Sequence, residues 1–268
     1  MKQWLYSALM VLMATVLSEG CKKEETVDNP PANDPVTLKH QYNLAVIDTK
    51  TVQPYEIYRS LVPVVNYGDS MAGEGNLVWS ADSTGRPRVL VISWMRQSNL
   101  QYWPEGKTFK TSNVQAYMSW VTTAPEMLDF LKKHHLSDSA ALHLRLAQVL
   151  GMPADTKNNY FVEFWVYPEN LFRPSPDPEI TDREADLYFP ASSSEKHRKW
   201  FMNELASKYD TNTTSAFPWT RLGYTYDWAN PSFPVGLSEF VVDTSSVVTV
   251  KKIYSSAQYY QLSLTMKK

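Results

Sequence analysis

Nine short segments rich in β-branched and aromatic residues run from residue 41 to residue 264, and they constrain the fold more than any other feature of the chain. They are QYNLAVID, EIYRSLVPVV, NLVWSAD, RPRVLVISWM, YFVEFWVYP, RLGYTYDW, GLSEFVVD, SSVVTVKKIY and AQYYQLSL. Such side chains fit a pleated surface buried on at least one face, so each segment is predicted as a strand. ADSTGRPR, between the third and fourth, has the Ser, Gly and Pro of a hairpin connection. Three other segments carry helix signals. In TTAPEMLDFLKKHH, Thr123 and Glu126 match a capping box, Pro125 sits in the first turn, and Met127, Phe130 and Leu131 form an apolar stripe. SDSAALHLRLAQVLGMP can be capped by Ser137 or Asp138 and stops at Gly151 and Pro153. SSSEKHRKWFMNELASKYD repeats the box with Ser192 and Glu195 and lines one face with Phe201 and Leu205. Strands before, between and after about three helices predict an α+β fold, a curved and mostly antiparallel sheet with the helices packed on it. No internal repeat and no second low-complexity linker follows residue 40, so residues 38–268 are predicted as a single domain.

That domain must be held by its core. Cys21 is the one cysteine, so the domain has no disulfide, no thiol nucleophile and no cysteine zinc site. About 230 residues bury enough apolar surface for one core without such staples. Lys and Arg total 26 against 28 Asp and Glu, and their interspersion leaves no basic face for nucleic acid. Aromatics make up 13 % of the chain, which suits either a ring-filled core or a sugar- or protein-binding surface.

The cellular address precedes the domain. Residues 4 to 17, WLYSALMVLMATVL, form an apolar run of signal-peptide length behind Lys2, short of the ~20 residues a spanning helix needs. Leu17 and Gly20 then lead to Cys21. This resembles the lipobox of bacterial lipoproteins, with the aliphatic position displaced by one. The CKKEE that follows is similar to the surface-export signal of Bacteroidota lipoproteins. The resemblance implies a signal peptide over residues 1–20, acylation of Cys21 by a fatty acid such as palmitate, and anchorage to the outer membrane on the cell surface or the periplasmic face. Residues 21–37 carry three prolines and no apolar periodicity, and are predicted as a disordered tether.

Candidate sites are fewer. His134 and His135 are adjacent rather than a helical turn apart, so with Lys132 and Lys133 they read as cations at a helix C-terminus; no metal site is predicted. RPSPDPEITDREAD, residues 173–186, carries five carboxylates and three prolines and reads as a rigid solvated loop, with a calcium site or a catalytic carboxylate as alternatives. PWTRLGYTYDW, residues 218–228, gathers Trp219, Arg221, Tyr224, Tyr226, Asp227 and Trp228. As a strand it is either a binding platform for carbohydrate or phosphate, or an exposed ion pair beside an aromatic core.

IYRS (Tyr58, Arg59), WVTTAPE (Thr122, Thr123) and GLSEFVVD (Glu239), in that order, resemble ADP-ribosyltransferase-like folds, although Leu237 replaces the first residue of the usual Glu-x-Glu pair. The resemblance implies NAD as cofactor, Arg59 on its phosphates, Thr123 at the end of the middle strand and Glu239 orienting the ribose. No G-x-S-x-G, P-loop or G-x-G-x-x-G sequence occurs. The predicted function is a lipid-anchored, non-catalytic binding or accessory module for a glycan or protein, with no cofactor. The alternative is an enzyme, either that NAD-dependent transferase or a carboxylate-dependent hydrolase.

Overall fold

The computed structural model describes residues 33–65 and 77–265. The signal segment, Cys21 and the tether up to residue 32 lie outside the described residues. An eight-stranded antiparallel sheet frames the fold. Its order is β3 (Thr108–Lys110), β10 (Val247–Ser255), β5 (Asn158–Val166), β2 (Pro87–Arg96), β4 (Ser119–Thr123), β9 (Phe240–Val242) and β6 (Leu171–Phe172). β1 (Trp79–Ala81) pairs with the start of β2, on the hairpin that ADSTGRPR predicts. A separate pair, β7 (Tyr224–Tyr226) and β8 (Val235–Ser238), lies beside this sheet. The molecule is α+β, as expected.

β2 and β5 form the central pair, from Val89↔Val166 to Arg96↔Asn158. Leu90, Ile92 and Trp94 meet the helices α2 (Ala124–Lys133), α3 (Ser139–Val149) and α5 (Ser256–Thr265) through Met127, Leu131, Leu142, Leu146 and Tyr259. Val89, Val91 and Met95 point the other way, into a cluster with Val64, Trp103, Leu171 and Ile180. Cover on both faces explains why RPRVLVISWM is a near-continuous apolar run. Each fully buried Val, Leu or Ile there contributes about 1.5–3 kcal/mol. Glu163 is the polar member of this centre: it is buried in β5, and the Tyr259 hydroxyl (3.1 Å) and Lys251 Nζ (3.0 Å) hydrogen-bond to its carboxylate.

Three expectations change. QYNLAVID and AQYYQLSL are helical, in α1 (Pro35–Asp48) and α5, so five α-helices rather than three are present among the described residues. Asp34 caps α1 by accepting from Val36 N and Thr37 N, so ordered structure begins within the predicted tether. EIYRSLVPVV is an extended segment outside the named strands, tied by Leu61 N to Arg183 O (2.9 Å) and Val64 N to Ile180 O (2.7 Å).

The 173–186 loop is also unlike its expectation. Arg173 and Ser175 are fully buried, and Ile180 and Ala185 enter apolar clusters. Its prolines and carboxylates suggested solvent. Its backbone instead packs against residues 61–64, and polar side chains such as Arg173 satisfy the carbonyls that burial strands there.

Candidate functional site

β4 passes directly into α2, with Thr123 ending the strand and Ala124 opening the helix. Glu126, Asp129, Phe130 and Lys133 recur at helical spacing and share one face of α2. With Val62, Gly236 and Leu237 they line a cleft of about 350 Å³.

Glu126 is its chemical centre. Sequence spacing made it the partner of Thr123 in a capping box, yet the Thr123 side chain makes no capping bond. Glu126 instead reaches across to β8. Its Oε1 accepts from Ser238 N (2.9 Å) and Ser238 Oγ (3.0 Å), and its Oε2 accepts from Thr122 Oγ1 (3.0 Å). Ser238 Oγ accepts in turn from Val62 N at 2.8 Å, which aims the hydroxyl proton at the carboxylate. A carboxylate offers about four acceptor sites, so one on Oε2 remains. Burial raises the Glu126 carboxyl to about 7, against the opposing pull of Ser238, Thr122 and Arg173. It therefore changes charge near neutrality, in a position fixed by three donors.

The walls are as constrained as the floor. A Cβ on Gly236 would lie 2.3 Å from Thr225 Oγ1, 2.5 Å from Thr225 O and 2.7 Å from Val149 O, so no side chain fits there. Arg173, 0 % exposed, donates from Nη2 to Val62 O (3.2 Å) and Asp182 O (2.6 Å). Among the described residues its Nε and Nη1 have no hydrogen-bond partner, and Asp182 Oδ1 is 3.6 Å from Nε. The Phe130 ring lies 4.2 Å from the His134 ring and 4.8 Å from the Arg145 guanidinium, so both neighbours crowd it. Asp227 holds Arg145 in place by accepting from both its terminal nitrogens.

None of the residues proposed from sequence as catalytic or binding residues lines this cleft; Glu126, Phe130, Lys133 and Leu237 carried other readings. Arg59 is 71 % exposed and pairs with Glu184 on the surface. Thr123 is fully buried, and its hydroxyl has no hydrogen-bond partner among the described residues. Glu239 is 4 % exposed between β8 and β9, its backbone N–H donating to Gly223 O. Burial pushes its carboxyl up to about 8, with the Lys208 cation pulling the other way. Thr123 and Glu239 lie near each other in the sheet, since Val121 pairs with Phe240, whereas the Arg59 side chain is exposed and paired with Glu184.

The 218–228 segment builds a core wall rather than an open platform. Trp219, Tyr224, Tyr226, Asp227 and Trp228 are all buried, Trp219 at 0 % exposure. Only Tyr224–Tyr226 is strand, because Arg221 (φ 59°) and Gly223 (φ 72°) turn through the left-handed region and break the expected alternation. Arg221 donates to Thr49 O (2.8 Å) and Lys50 O (3.0 Å), closing the C-terminal end of α1. Trp219 sits among Trp120, Trp200 and Phe201, and its indole N–H donates to Pro174 O.

No protein-family model, curated protein or solved structure matches this chain. The site therefore rests on its own geometry. Among the described residues no group of three or more His, Cys, Asp or Glu can hold a metal ion, and no helix is long and apolar enough to cross a membrane.

Proposed function

We propose that this chain is an outer-membrane lipoprotein, acylated at Cys21, whose domain binds a short hydroxyl-rich ligand of the glycan class in the cleft between α2 and β8. The observation that carries the reading is Glu126, a carboxyl fixed by three donors, with one acceptor site left and a cleft in front of it. Small-ligand sites combine a concave wall with a few placed polar groups in this way. An aromatic surface lies within reach. Residues 58–62 meet residues 233–238 at two points, the Tyr58 and Phe233 rings (6.2 Å) and Val62 N on Ser238 Oγ. Phe233 is 56 % exposed. Four residues of chain span at most about 14 Å, so the site has room for a single sugar or a short oligosaccharide between ring and carboxyl.

A glycan library titrated against the wild type and Glu126→Gln tests the site. Ligands that bind the wild type and lose affinity in Glu126→Gln and Phe233→Ala support it; equal affinity in all three proteins would sink it. The anchor is tested separately. Cys21→Ser should abolish labelling by an alkyne fatty acid and release the protein from membranes, and labelling that persists removes the lipoprotein reading.

A second reading has one observation in its favour. Asp129 lines the same cleft one turn from Glu126, and a carboxyl near 7 suits a general acid, so the pair can serve a carboxylate-dependent hydrolase. Turnover of a bound glycan by the wild type, lost in Glu126→Gln with binding retained, would move the assignment there.

A further inference from the structure

α1 is apolar on two sides. Leu38, Tyr42, Ala45 and Val46 face the domain, packed with Tyr226 and Trp228. On the outside, Val36 (77 % exposed), Leu44 (50 %) and Ile47 (55 %) face solvent. Their spacings of eight and three residues place them along one side of the helix. Tyr55, 84 % exposed, follows just beyond the C-terminal end of α1. Lys39, His40, Asp48 and Lys50 are exposed around them. Exposed aliphatic side chains along the outward side of a helix, with lysines beside them, suit shallow contact with a membrane interface.

Covalent geometry favours the bilayer over any other occupant. Residues 22–34, thirteen in number, separate Cys21 from the first residue of α1. Thirteen residues reach at most about 45 Å. α1 is the first described element after Cys21, so an acylated Cys21 keeps its outer face within that reach of the lipid surface and at high local concentration there.

We propose that the outer face of α1, Val36, Leu44 and Ile47, docks on the bilayer and fixes the domain's orientation on the membrane. This rests on the lipoprotein reading above. The docked state needs only a few apolar side chains to enter the headgroup region, because the acyl chains supply the anchorage.

The test uses the full chain, acylated and reconstituted into phosphatidylcholine vesicles containing brominated acyl chains. Separate proteins carry a fluorophore at Leu44, at Ile47 or at Tyr102, an exposed residue outside the α1 cluster. Docking predicts quenching at 44 and 47 but not at 102. It also predicts loss of that quenching when Val36→Ser and Ile47→Ser accompany the Leu44 label, with unchanged thermal unfolding. Flotation with the vesicles and fatty-acid labelling report the anchor independently. Floating protein without quenching at 44 or 47 overturns docking and leaves the anchor standing. Protein that neither floats nor labels, and shows no quenching, overturns both. Shielding of the label in a concentration-dependent dimer, with no lipid quenching, also overturns docking and gives this face to a second copy of the chain.

Discussion

Glu126 and Glu239 are both glutamates whose carboxyls burial raises towards neutrality, yet their surroundings differ in kind. Glu126 has three hydrogen-bond donors and a cleft in front of it. Glu239 is sealed between β8 and β9, and among the described residues no hydrogen bond reaches its carboxylate. A raised carboxyl by itself therefore does not mark a site. Access and prior satisfaction separate a group that can meet a ligand from one that only makes the core sensitive to pH.

The comparison can be broken most forcefully through the rings near Glu239. Trp219→Ala should cost about 3–5 kcal/mol in urea unfolding and leave glycan affinity at the Glu126 cleft unchanged. A loss of binding without loss of stability would restore the platform reading of 218–228. Next is Glu239→Gln. The folded carboxyl, about 8, lies above its ordinary 4.5, so the folded state holds the proton more tightly. Stability is then full below about pH 4.5 and falls as pH rises through 8. Glu239→Gln should flatten that decline and stabilise the protein at pH 9 by at most on the order of 5 kcal/mol, less whatever the buried amide costs. Unfolding curves across pH decide it, and a decline that persists in the variant assigns it elsewhere.

Smaller effects sharpen the other side. Glu126→Gln should weaken ligand binding by about 1.5–3 kcal/mol, roughly 10- to 100-fold, the range for hydrogen bonds to a charged group. With Glu126 as the acceptor, wild-type affinity should rise with pH through about 7, and calorimetry should find that dependence gone in the variant. Arg59→Ala should change stability by no more than about 1 kcal/mol and leave binding intact, because its ion pair with Glu184 is exposed. A collapse of binding there would revive the transferase arrangement.

The fold was legible where one rule dominated. RPRVLVISWM, YFVEFWVYP and SSVVTVKKIY are β2, β5 and β10, and the three segments with capping signals are α2, α3 and α4 (Glu195–Ser207). Cap identity was less so: Ser194, not Ser192, caps α4 by accepting from His197 N. α1 was hidden because Val36, Leu44 and Ile47 blur the stripe of Leu38, Tyr42, Ala45 and Val46, although Asp34 and Pro35 mark its start. α5 was hidden by paired tyrosines whose propensity favours strands. The candidate site was not legible at all. Glu126 sits three residues after a threonine before an apolar stripe, which reads as a local cap. Its actual partner, Ser238, is 112 positions away in sequence and is brought close by tertiary packing alone.

β10 occupies an inner position of the sheet, between β3 and β5, although it is the last strand in the sequence. The sheet therefore cannot close until residues 247–255 are available to fill that gap. Pairings this distant along the chain also form slowly, since loop closure must precede any reward from contact. Loss of the final strand would leave two interior edges exposed, on β3 and β5, rather than trim a periphery.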